Sequence, residues 1–133
     1  MPDKVEEIKK LLEELEGKVT DILGSAVIRT NGLLIASALP PESNERMIAA
    51  MAAALIGTSK RTAESLFENG SFLSLNLELD KGDVFLIGAG RVILVAITSK
   101  QPNIGLLTLE MEDISKKISK IFQTEEWTQI GRR

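Results

Sequence analysis

The carboxylates of this 133-residue chain come in groups: Glu13 with Glu14, Glu110 with Glu112 and Asp113, and Glu125 with Glu126. Paired carboxylates do acid–base or metal chemistry when their surroundings push their pKa values apart. Here each group sits beside Lys or Arg on a helical or polar segment, the pattern of a solvated helix face with i,i+4 contacts. Asp80, Gly82 and Asp83 begin like a calcium loop but lack its downstream ligands, so a tight turn is expected. Gly88-Ala89-Gly90 follows an apolar run as a dinucleotide-binding turn does, yet the third glycine is missing and a strand follows where a helix is needed. Gly57-Thr58-Ser59-Lys60 holds phosphate-loop residues in the wrong order and inside a helical pattern, where no nest of backbone N–H groups can form. Cysteine and histidine are both absent, which removes disulfides, thiol nucleophiles, zinc–thiolate sites and the commonest general base. The chain is expected to be no enzyme, with no catalytic residue, no cofactor and no metal.

Size allows one domain with a single core. A net charge of −3 and a pI near 5.1 argue against nucleic acid, since no basic stripe is available to displace counterions. The first eighteen residues carry ten charged side chains, unlike a signal peptide. No apolar run reaches the roughly 17 to 25 residues that span a bilayer. A cytoplasmic location without membrane insertion is the expectation.

Periodicity supplies the elements. Val5, Ile8, Leu11, Leu12 and Leu15 form the apolar stripe of a helix from Asp3 to about Gly17. Ser25 to Thr30 and Leu33 to Ala38 read as strands around Asn31-Gly32, a dipeptide suited to a two-residue primed turn with positive φ at both positions. A long helix follows from about Asn44 to Glu68, closed by Asn69-Gly70. Leucines alternate with Ser, Asn and Glu from Leu73 to Leu79, a strand with one wet face that belongs at a sheet edge. Val84 to Gly88 and Arg91 to Thr98 complete the strands. The run Val92 to Ile97 has no polar residue, so it belongs in the middle, covered on both sides. Pro102-Asn103 opens a last helix to about Phe122, and residues 123–133 form a polar tail.

One stretch asks for more than the chain's own core. Met47 to Ile56 contains ten residues without a charge, five of them alanine, inside the long helix. It is apolar on every side, and such a helix must be covered on more than one face. The sheet can cover one. Alanines on the other would let a second helix approach closely, so this helix is read as serving both the fold and a subunit contact.

With these residues in view, the chain resembles the Roadblock domain family, which includes dynein light chains of that name and bacterial and archaeal regulators of Ras-like GTPases. Gly32-Leu33-Leu34-Ile35-Ala36-Ser37 after the hairpin turn, Ala49-Ala50-Met51-Ala52-Ala53-Ala54-Leu55 and Pro102-Asn103-Ile104-Gly105-Leu106 carry the resemblance, in that order. Asn31 stands where many members have Asp. The resemblance covers about residues 5 to 122, so a domain at 1–122 and a tail at 123–133 are expected. It implies an α+β (α/β) fold of order α-β-β-α-β-β-β-α, with a five-stranded antiparallel sheet between one long helix and two terminal helices. It also implies a homodimer in which the long helices pair and the edge strands join two sheets. The contact residues would be Met47, Ala50, Met51, Ala53 and Ala54 with Leu73, Ser74, Leu75, Asn76 and Leu77.

The function so implied is a non-enzymatic dimeric scaffold or regulator that binds a small Ras-like GTPase and modulates its nucleotide cycle. The alternative is a structural adaptor of the light-chain type with no GTPase partner. Arg46, Lys60, Arg61 and Glu64 mark the exposed part of the long helix as a docking surface, although solubilising charges account for them equally well. Arg46 and Arg61 are the first suspects for an arginine supplied in trans. Trp127 is either an interface anchor or a side chain folded back on its own helix.

Overall fold

The computed structural model describes residues 3–131, with side chains as far as Gln123. Eight elements follow one another: α1 (Lys4–Lys18), β1 (Ile22–Arg29), β2 (Leu34–Ala38), α2 (Glu45–Leu66), β3 (Ser74–Glu78), β4 (Asp83–Ala89), β5 (Val92–Thr98) and α3 (Ile104–Gly131). The strands form one antiparallel sheet in the order β2-β1-β5-β4-β3. The all-apolar β5 lies at its centre and the leucine-alternating β3 at one edge, as their patterns predict.

Local chemistry explains the helix starts. Asp3 accepts from the Val5 backbone N–H, and Asn44 accepts from that of Met47 at 3.1 Å, each occupying a donor that the first turn leaves free. Asn103 does the same for Leu106 at the head of α3. Beyond α2, Asn69 takes φ +58° and lets the chain turn back toward β3.

Each face of the sheet has its own core. Ile8, Leu12 and Leu15 of α1 pack with Leu107, Met111, Ile114 and Ile118 of α3 over Val27, Phe85, Leu94 and Ala96. On the other face α2 buries Ala49, Ala52 and Ile56, with Leu55 half-buried beside them, against Ile28, Leu86, Ile93 and Val95. The terminal helices are further tied at their rims. Lys117 reaches Glu14 at 3.4 Å and Asp113 at 3.3 Å, while Lys18 reaches Glu14 at 3.2 Å and Glu110 at 3.7 Å. The hydrogen bond from Lys18, then the charge of Lys117, hold the Glu14 carboxyl below its usual value.

Three boundaries differ from the sequence reading. The turn at Asn31-Gly32 is not a primed two-residue turn, because only Gly32 has positive φ, at +91°. Gly32 N–H donates to the Arg29 carbonyl at 3.0 Å and Arg29 N–H to that of Leu33 at 2.8 Å, giving a three-residue loop with a glycine bulge. β1 begins at Ile22, three residues before Ser25, because an irregularity between Ile22 and Gly24 lets the strand pass a residue that reads as a breaker. The last helix runs past Phe122 to Gly131, since residues 123–130 contain neither glycine nor proline to stop it.

Candidate functional site

Helix α2 turns three different faces outward from its axis. Ala49, Ala52 and Ile56 point into the sheet. Met47, Ala50, Met51 and Ala54 lie on the opposite side and are exposed, with Met47 and Met51 each at 51%. Ala53 sits between these faces, half-buried against the hairpin loop, where a Cβ added to Gly32 would stand 3.5 Å from the Ala53 methyl. Thr58 and Thr62 turn their hydroxyls back onto the helix, donating to the carbonyls of Ala54 and Thr58.

Edge strand β3 lies on the same side of the molecule. Residues paired across a ladder share a face, and Leu75 pairs with Leu86 while Leu77 pairs with Val84. Leu86 belongs to the α2 core, so Leu75 and Leu77 turn their side chains toward α2 and are half-buried. Ser74 and Asn76 pair with Ile87 and Phe85 and are exposed on the α3 side. Leu73 lies just before the strand, 78% exposed, although its carbonyl accepts from Gly88 N–H at 3.1 Å. Between α2 and the sheet runs a groove of about 220 Å³ lined by Ile48, Met51, Leu55, Leu77, Leu79 and Ile97, among others. Its walls are apolar.

Met51 is therefore brought together with Leu77 in this groove, while Met47, Ala50 and Ala54 extend the exposed apolar face along α2 and Leu73 and Leu75 extend the apolar side of the open sheet edge. Leu79, 54% exposed, lies beside them, and the same leucine alternation that marks the strand extends to it although the expected contact residues stop at Leu77. Exposed apolar patches of this kind are characteristic of interaction sites. The charged set is spread more widely. Arg46, Lys60, Arg61 and Glu64 are all exposed, but Arg46 lies at the start of α2, ~21 Å along the axis from Lys60 at 1.5 Å per residue. The side chain of Trp127 lies outside the described residues. Among the described residues, no three acidic side chains are grouped to hold a metal ion and no helix is long and apolar enough to cross a membrane.

Residues 7–98 match the Roadblock/LC7 domain. Curated relatives include two uncharacterized proteins of Methanocaldococcus jannaschii, MJ1340 and MJ0310, each 35% identical over 115 residues, covering 86% of this chain and 99% of the relative. Solved structures with this fold include Myxococcus xanthus MglB, at 22% identity and a TM-score of 0.84, covering 92% of this chain and 99% of that one. A Roadblock/LC7 domain from Streptomyces avermitilis aligns with a TM-score of 0.81 at 18% identity, covering 86% and 97%.

Proposed function

This chain belongs to the Roadblock/LC7 domain family, and on that footing we propose that it is a homodimeric, non-catalytic regulator of a small Ras-like GTPase. The observation that carries the dimer is the exposed apolar face of α2 beside the open, leucine-flanked edge of β3. An unpaired strand edge is a template for another strand, and proteins usually blunt it with charge, proline or cover. Here the edge is flanked by exposed leucines and by a helix with exposed methionines. A second copy, related by a two-fold axis, covers both at once. Paired β3 strands satisfy the edge, and the α2 helices approach across their alanines.

The GTPase is the partner that the Roadblock resemblance implies. In the dimer the charged ends of α2, with Arg46 at one end and Arg61 and Glu64 near the other, flank the seam and offer the polar contacts that such a partner needs. The regulator acts by ordering the GTPase's own catalytic parts or by supplying an arginine in trans. A cytoplasmic location is consistent with such a partner.

Two measurements test this reading. Sedimentation at micromolar concentration should give a dimer. Tagged protein incubated with its source lysate should retain a small GTPase preferentially with a GTP analogue rather than GDP. Retention of the same partners in both, with no GTPase among them, would replace the regulator by an adaptor of the light-chain type.

A further inference from the structure

We infer that pairing of β3 across the dimer axis also builds a trough on the opposite face of the sheet, shaped for one basic amphipathic helix per dimer. This rests on the dimer proposed above. Its starting point is the unequal treatment of the two faces of β3. Leu75 and Leu77 turn toward α2, but Ser74, Asn76 and Glu78 stand exposed on the face that α1 and α3 cover elsewhere. Helix α3 stops short of the edge strand. Between them lies a groove of about 150 Å³, with Ile104, Thr108 and Glu112 on the helix side and Ser74, Asn76 and Phe85 on the sheet side. In a single chain it is half a channel, open at the sheet edge.

A second β3 in antiparallel pairing supplies the other half. Strands lie ~4.8 Å apart, which places two α3 helices seated over β4 and β5 roughly 19 Å from each other. Packed helices stand about 8–10 Å apart, so a helix between two walls needs roughly 16–20 Å. One helix fits and two do not. The lining chooses its chemistry: the charged residue in the groove is Glu112, and Glu78 stands on the same face of β3 in a neighbouring hollow that it shares with Asp80, Asp83 and Lys100. The two-fold axis doubles both, while Ile104, half exposed, offers an apolar contact on each wall. A helix with Lys or Arg along both flanks and a narrow apolar seam complements this lining.

The test uses the full chain and a fluorescein-labelled helical peptide of leucine and lysine, titrated by anisotropy, with sedimentation in the same buffer. Binding should saturate at one peptide per dimer. Glu112→Lys and Asn76→Lys should each weaken it by about tenfold or more. Glu6→Lys, an exposed change on α1 with the same effect on net charge as Glu112→Lys, should leave it within about twofold. The corresponding leucine–glutamate peptide should not bind. Equal losses from Glu112→Lys and Glu6→Lys, two peptides per dimer, or equal binding of the acidic peptide overturns the trough while the dimer stands. A monomer in sedimentation overturns the dimer, and the trough with it.

Discussion

The hydroxyl of Ser25, fully buried in β1, donates to the carboxylate of Glu16 in the last turn of α1. The bond crosses the junction where the first helix meets the sheet. Burial raises the Glu16 carboxyl above its ordinary pKa; the Ser25 bond lowers it in part, and the charge of Glu13 adds to the rise. The fold therefore favours the neutral form of this side chain more than the unfolded chain does.

Its consequence for pH has a definite sign. A carboxyl whose folded pKa is raised gives its favourable contribution below the unfolded value, about 4.3, and loses it as pH climbs through the folded value. Glu16→Gln keeps an acceptor for Ser25 and removes the charge. Its unfolding midpoint in urea should exceed that of the wild type at pH 7, and the gap should close near pH 4. Equal midpoints at pH 7 would mean that desolvation does not dominate at this site.

Gly32 holds its turn through a backbone angle that other residues resist. A methyl there meets Ala53 only at ordinary contact distance, so the cost of Gly32→Ala is conformational. It should be about 1–2 kcal/mol in urea unfolding. Gly32→Asn should recover part of it, since Asn tolerates positive φ.

Ile56 is the largest side chain that α2 buries in the sheet, with no exposed surface. Ile56→Ala should cost roughly 2–5 kcal/mol. Met51→Ala should cost much less in a monomeric variant, because half of Met51 is already exposed. A similar loss at both positions would mean that α2 is seated differently.

Ala54→Glu places a carboxylate on the outward face of α2, where a single chain has room for it. The variant should fold, with unchanged far-ultraviolet circular dichroism, and sediment as a monomer at concentrations where the wild type is expected to form the proposed dimer. A surviving dimer would move the seam away from this face. Ala53→Glu is a poorer probe, since Ala53 packs on the Gly32 loop.

Much of the sheet was legible because its strands differ in pattern. Six consecutive apolar residues in β5 can only be central, and Leu-Ser-Leu-Asn-Leu-Glu-Leu can face water on one side only. The demand of α2 on the sheet was legible too: its apolar run sets Ala49, Ala52 and Ile56 on the sheet and leaves Met47, Ala50, Met51 and Ala54 exposed. The turn type was not, because Asn-Gly suits both a primed turn and the glycine bulge that forms. The start of β1 was hidden by Gly24, whose neighbours give no sign that a strand continues through it. The groove between α3 and β3 was illegible for a different reason. It depends on how far a helix reaches across a sheet, which no local pattern encodes.

The seating of α2 has a kinetic side. Two alanine methyl groups and one isoleucine, with Leu55 half-buried beside them, are a light anchorage for a helix of 22 residues, and regions with few buried apolar contacts open most readily. In a dilute sample the amide protons of α2 should therefore exchange with solvent well before those of β5. Raising the protein concentration should slow α2 first, because in the proposed dimer a partner copy supplies the missing half of this helix's core.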